Sequence, residues 1–376
     1  MKILFTCGGT AGHIYPAVAV AGRLRELMPE TESLFVGAKG KMEMDLVPRE
    51  GYEIREITVS NLARSGGLEM IRHNLQSIRN VFTATEQARG ILREFKPDVV
   101  LGTGGYVCYP VVRAAAAMKI PTAVHESNAI PGLTTKMLSN FADRIMVGFP
   151  ESVSGYRHSE RVIVTGTPVR SEFLQFGKSQ AKAELGLPVN KPLVVSVWGS
   201  LGAPMMNELM AEFIERAVNK PFFTMIHSAG TRGYAAMMAK LQKDGCADCA
   251  EKGFEVREFI YDMPRVLAAA DLVICRAGAS SLAELTLLGK PAILVPSPNV
   301  ANNHQEKNAR VLEEAGGARV RLEGQFTQDS LFGEVSDLLQ NPNTLLEMSA
   351  RMKELGVPDA VERITDEVLT LAGGKN

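Results

Sequence analysis

The chain has 376 residues, 45% of them hydrophobic and 22% charged, enough for two globular domains with substantial cores. A formal net charge of -1 gives no global attraction to polyanions, so nucleic acid is not an expected partner. Cys7, Cys108, Cys246, Cys249 and Cys275 are odd in number and scattered, which fits a reducing cytoplasm rather than a disulfide framework. The C-x-x-C at Cys246 and Cys249 lacks the second pair that a zinc site needs and reads as a polar loop.

Lys2 to Thr6 reads as a buried strand, followed by a glycine turn and a helix through Val18 to Met28. The apolar start is too short, and lacks a small-residue cleavage site, for a signal peptide. Strands are expected at Ser33 to Gly37, Asp98 to Leu101, Thr122 to His125 and Arg144 to Val147. Helical patterns fall between them, the longest from Leu68 to Arg93. The alternation pauses near Gly166 to Pro168 and restarts at Leu193 to Val197. It then continues through Phe222 to Ile226, Glu255 to Phe259, Leu272 to Cys275 and Ala292 to Val295. Strands alternating with helices imply βαβ units and parallel sheets. The expected fold class is therefore α/β, two doubly wound Rossmann-like domains. The expected boundaries are 1-163 and 164-354, with a C-terminal helix 355-376 returning to the first. A run of about 18 apolar residues is absent, so no spanning helix is expected and any membrane contact is peripheral.

Three of the expected strands end in glycine turns: Cys7-Gly8-Gly9-Thr10-Ala11-Gly12-His13, Gly102-Thr103-Gly104-Gly105-Tyr106 and Gly199-Ser200-Leu201-Gly202-Ala203. Such a turn either makes a tight βα connection or brings backbone N–H groups and a helix start close to an anion. None is a dinucleotide fingerprint or a P-loop. A further cluster, Cys275 to Leu285, is a strand end, a small-residue turn and a helix start. Its Glu284 either accepts ribose hydroxyls or answers the helix dipole. Asn302 to Asn308 is dense in amides, with Gln305 among them. It suits either sugar hydroxyls or a polar helix cap.

Taken in order, GGTAGHIYPAVAVA, GTGGYVCYPVVRAA, HESNAIPGLTTK, TGTPVR, GSLGA, FIYDM, CRAGASSLAEL and NNHQEKNA resemble the GT-B glycosyltransferases that complete lipid II. The resemblance spans nearly the whole chain. It implies transfer of N-acetylglucosamine from UDP-N-acetylglucosamine to the 4-hydroxyl of the N-acetylmuramyl unit of undecaprenyl-linked lipid I, in a cleft between two domains. It also implies an acceptor-binding first domain and a donor-binding second domain. By likeness, Ser200 and Ala279, Ser280, Ser281 and Leu282 flank the diphosphate and ribose, and Glu284 takes the ribose hydroxyls. Ile260 offers backbone groups to uracil, Gln305 reads the sugar, and Arg170 lies near the donor phosphates. Thr10, Ala11 and Gly12 face the acceptor pyrophosphate, and Asn128 lines the cleft. Ala11, Ser127, Thr167 and Leu201 depart from residues common among these relatives. A related glycolipid synthase and a UDP-N-acetylglucosamine epimerase are the rival readings.

An inverting displacement needs a base on the acceptor hydroxyl. His13, at the first helix start, is either that base or a packing residue; a free imidazole titrates near about 6.5 and can be basic in the cytoplasm. No cofactor and no metal are expected, since the chain contains no D-x-D. A lipid-linked acceptor places the protein on the cytoplasmic face of the cell membrane. Leu68, Ile71, Leu75, Ile78 and Phe82, flanked by Arg64, Arg72 and Arg79, form an apolar and basic stripe suited to anionic lipid or to the protein's own sheet.

Overall fold

A computed structural model describes residues 1–59, 82–199 and 202–374. Two compact units divide the chain: Met1–Arg170 with Val357–Asn376, and Ser171–Gly356. Each is built on one parallel sheet.

The first sheet has the order β3-β2-β1-β4-β5-β6-β7. Its strands are β1 Lys2–Thr6, β2 Glu32–Ala38, β3 Glu53–Ile57, β4 Val99–Gly102, β5 Thr122–Glu126, β6 Arg144–Val147 and β7 Val162–Val164. The connecting helices are α1 Ala11–Leu27, α2 Glu43–Arg49, α3 (82–95), α4 Cys108–Ala117 and α5 Leu133–Leu138. Successive side chains of a strand point to opposite faces. Leu4 accordingly packs with Val100, Val111 and Leu92 on one face, while Ile3 and Phe5 pack with Ile14 and Leu24 on the other. Central strands covered on both sides are largely apolar, which is why β1 and β4 were legible as strands.

The second sheet has the order β10-β9-β8-β11-β12-β13. It comprises β8 Leu193–Val197, β9 Thr224–Ser228, β10 Phe254–Arg257, β11 Leu272–Cys275, β12 Ala292–Leu294 and β13 Ala318–Val320. Its helices are α6 Lys178–Glu184, α7 Pro204–Ala217, α8 Tyr234–Lys243, α9 Met263–Ala269, α10 Ala279–Leu288, α11 His304–Glu314, α12 Gln328–Gln340 and α13 Pro342–Leu355.

The last helix, α14 Ala360–Gly373, belongs to the first unit. Its buried Ile364 and Val368 join the core around Phe5 and Ile14, each worth about 1.5–3 kcal/mol of burial. Phe222 and Phe223, expected within a strand, precede β9 and pack edge-on at 5.0 Å between ring centroids. Of the apolar and basic stripe expected at Arg64 to Phe82, only Phe82 falls within the described residues, at the start of α3. Among the described residues no helix is long and apolar enough to cross a membrane.

Candidate functional site

In an open parallel sheet, ligands gather where neighbouring strands send their connections in opposite directions. Both units have such a point: between β1 and β4 in the first, and between β8 and β11 in the second. The glycine turns after these four strands lie there.

In the second unit a cavity of about 650 Å³ opens at that point. It is lined by the turn after β8 (Trp198, Gly199, Gly202), the turn after β11 (Arg276, Gly278) and the start of α10 (Ser281, Glu284). Gln305 of α11 and Glu323 complete the polar lining. Among the described residues no side chain caps α10, whose N-cap is Gly278. A methyl added to Gly278 would meet no atom within 4 Å, so the helix start faces open space. Its first-turn N–H groups and the positive end of the dipole suit an anion. Gly202, by contrast, is hemmed in: at φ +77° its added methyl would stand 2.0 Å from the Ala229 carbonyl oxygen.

The side chains are already ordered. Ser297 N–H donates to Gln305 Oε1 at 2.9 Å, so the Gln305 amide is oriented from the loop after β12. The Arg276 guanidinium pairs with Glu323, donates to the carbonyls of Val295 and Pro296 and lies 5.4 Å from the Trp198 ring centroid. The Glu323 carboxylate meets Arg276 by charge, and its buried Oε2 makes no hydrogen bond among the described residues. Trp198 is 3% exposed, and its Nε1–H meets no acceptor among the described residues. Burial pushes the Cys275 thiol up to about 12, so it stays neutral.

The residues singled out from sequence separate into groups. Ser281, Glu284 and Gln305 line the cavity. Ala279 and Leu282 are buried, so what they offer is backbone; Ser280 is half-buried beside them. Ile260 is buried and lies three residues beyond β10, outside the lining. Ser200 lies outside the described residues. Trp198, Arg276 and Glu323 carried no assigned role in the sequence. The first directly follows the LVVSV run, and the Arg276–Glu323 pair spans 47 positions, which no local pattern reveals.

In the first unit, Gly8 N–H donates to the Gly104 carbonyl at 3.2 Å and clamps the β1 and β4 turns together. Thr10 is the N-cap of α1, and Ala11, Gly12 and His13 are its half-buried first residues. Thr103 Oγ1 donates to the His13 carbonyl at 2.7 Å. His13 Nδ1 stands 2.9 Å from the Gly8 carbonyl oxygen. A carbonyl only accepts, so Nδ1 carries the proton of the neutral ring and Nε2 is left as the basic nitrogen. The ring sits against Gly104, where a methyl would come within 2.5 Å of His13 Cδ2.

Asn128 is half-buried after β5; its backbone N–H and Nδ2 both donate to Glu126 Oε1, at 3.0 and 2.8 Å. His125, at the end of the expected Thr122 to His125 strand, is buried. Its Nε2–H donates to the Gly166 carbonyl at 2.9 Å, and burial pushes its pKa down. Arg170 belongs to the first unit, 4.4 Å above the Tyr15 ring and 3.7 Å from Glu50. It does not line the cavity. A residue that sequence gave no hint of is Glu43, fully buried in α2. Its two carboxylate oxygens accept the N–H groups of Gly9 and Ala38.

Comparison with known proteins adds to this geometry. Residues 3–147 match the glycosyltransferase family 28 N-terminal domain, and residues 193–364 its C-terminal domain. The chain is 41% identical, over all of its length and 99% of the relative's, to the UDP-N-acetylglucosamine--N-acetylmuramyl-(pentapeptide) pyrophosphoryl-undecaprenol N-acetylglucosamine transferase of Acetivibrio thermocellus. Among solved structures it resembles MurG of Acinetobacter baumannii, at 26% identity and a TM-score of 0.74 over 98% of this chain and 99% of that one. A UDP-N-acetylglucosamine 2-epimerase structure from Listeria monocytogenes shares the fold at 14% identity, with a TM-score of 0.70 over the whole of this chain and 97% of that one.

Proposed function

The chain belongs to glycosyltransferase family 28, and from that premise we propose that it transfers N-acetylglucosamine from UDP-N-acetylglucosamine to the 4-hydroxyl of the N-acetylmuramyl unit of lipid I, forming lipid II. The observation that carries this reading is the second-unit cavity, where an uncapped helix start, an acid and an oriented amide converge. Those are the three groups that a diphosphate, a ribose and a sugar demand.

In this reading the donor diphosphate sits at the α10 start, against Gly278 to Ser281 with Ser200. Preorganised N–H groups there stabilise the charge that builds on departing UDP. Glu284 accepts the ribose hydroxyls, and Gln305 reads the sugar. The Ile260 backbone is left for uracil. An Arg170 contact to phosphate would have to compete with Glu50 and Tyr15.

The first unit takes the acceptor, its pyrophosphate at Thr10, Ala11 and Gly12 and its saccharide near Asn128. His13 Nε2 takes the proton of the 4-hydroxyl as the new bond forms at the anomeric carbon, and the bond to UDP breaks with its electron pair leaving on the diphosphate. Family likeness makes the reaction a single inverting displacement.

A lipid-linked acceptor calls for peripheral contact with the cytoplasmic membrane face. Support comes from the first unit's exposed Phe82, Leu133, Met137 and Phe141, the last three spaced by four along and just beyond α5, with exposed Lys136 among them. Vesicle binding that ignores anionic lipid would remove this part of the reading.

The assignment of the base is tested by His13→Ala. A positioned base contributes about 10²–10⁴ in rate, so kcat should fall by at least a hundredfold with donor KM little changed. A loss under about tenfold would count against it.

A further inference from the structure

Glu43 has no part in the chemistry so far, yet it occupies an expensive position. Its side chain is fully buried and pairs with no cation among the described residues. A buried carboxylate needs donors to offset its lost hydration, and here both oxygens face backbone N–H groups: Ala38 at 3.0 Å from Oε1 and Gly9 at 3.1 Å from Oε2. The surroundings are shaped to admit it. A methyl on Gly8 would stand 2.3 Å from Glu43 Oε1, and one on Gly37 would stand 2.6 Å from its Cγ.

The Gly9 N–H and the Gly8 C=O belong to one peptide group. On its far side, that carbonyl takes the Nδ1–H of His13 at 2.9 Å. The result is a continuous line: carboxylate, peptide N–H, peptide C=O, imidazole. We propose that Glu43 is a positioning residue for His13, acting through the single Gly8–Gly9 peptide to fix its tautomer and stabilise the imidazolium it becomes. This inference rests on His13 being the base. A carboxylate accepting from the N–H polarises the amide, which makes its oxygen a stronger acceptor, because hydrogen bonds in a chain reinforce one another. A directly bonded carboxylate does the same for the histidine of a Ser-His-Asp triad without taking the proton. Glu43 likewise gains no proton; the hydroxyl proton stays on Nε2.

The thiols, the phenol and the second imidazole around this line are held in their neutral forms. Burial raises the Cys7 and Tyr106 pKa values and pushes Cys108 up to about 12, with the Glu43 charge adding to each. His125, on the neighbouring β5, is held neutral by burial, and Glu126 beside it is tied to Asn128 and Gly132.

Two measurements test the proposal. In the wild-type protein, NMR across a pH series should show the Gly9 amide proton moving with the same midpoint as the His13 ring. A Gly9 resonance indifferent to His13 would overturn the relay. In Glu43→Gln, kcat should fall roughly tenfold at unchanged donor KM. The acid limb of the rate profile should move about one and a half pH units lower, the size expected of unit charges roughly 8 Å apart at an effective dielectric of about 20. An unmoved limb in folded protein would overturn it, since a merely structural role shifts stability and not the limb. The NMR result stands whether or not the variant folds. It also separates the two claims: coupled titration alongside a harmless His13→Ala would keep the relay and sink the base.

Discussion

Replacing Gly104 with alanine should cripple turnover while leaving donor binding intact. The added methyl would stand 2.5 Å from His13 Cδ2 and 3.0 Å from both Cγ and Nε2. Carbon atoms pack best at about 3.5–4.0 Å, so the ring must withdraw by roughly 1 Å. Misplacing a reacting group by about 1 Å costs on the order of a hundredfold in rate. Gly104 also holds φ at +118°, a conformation that costs a side chain about 1–3 kcal/mol. The variant should therefore lose one to two orders of magnitude in kcat, keep its donor KM, and unfold at lower denaturant by no more than that strain. Steady-state kinetics with lipid I, read beside a urea titration, separates the two effects. A folded variant with kcat within threefold of wild type would refute the ring's position as the source of catalysis.

Trp198 is the chain's single tryptophan, and it lines the cavity. Its fluorescence should change on titration with UDP-N-acetylglucosamine, and Glu284→Gln should weaken that titration about ten- to hundredfold, the worth of hydrogen bonds to a charged group; an unaffected titration would remove Glu284 from the donor site. Burial pushes the His227 imidazole down to about 3 from the ordinary 6.5. Between those values the unfolded chain binds a proton that the folded one refuses. The stability is fully present above pH 6.5 and falls as pH drops, by roughly 1.4 kcal/mol per unit. Denaturant midpoints between pH 7 and 4 should show that slope, and His227→Gln should flatten it.

The two sheets were legible because β1, β4, β8 and β11 are buried on both faces and are largely apolar. Short edge strands were not: Glu-Ile-Arg-Glu-Ile of β3 alternates charge with apolar residues, and β7 and β13 span three residues each. The cavity residues Ser281, Glu284 and Gln305 showed in sequence because a strand end, small residues and an amide run are local signals. Glu43 could not show. On paper it is a first-turn acid of a seven-residue helix, like many that face solvent. Only the tertiary contacts with Gly8 and Gly37 reveal what it holds.

Discharge of the donor onto a lipid acceptor is decided by incubating purified protein with UDP-N-acetylglucosamine, with and without lipid I. UDP should appear only when lipid I is present, in step with a β-1,4-linked disaccharide product. Donor consumed or epimerised without acceptor, or lipid I left unglycosylated, would contradict the account.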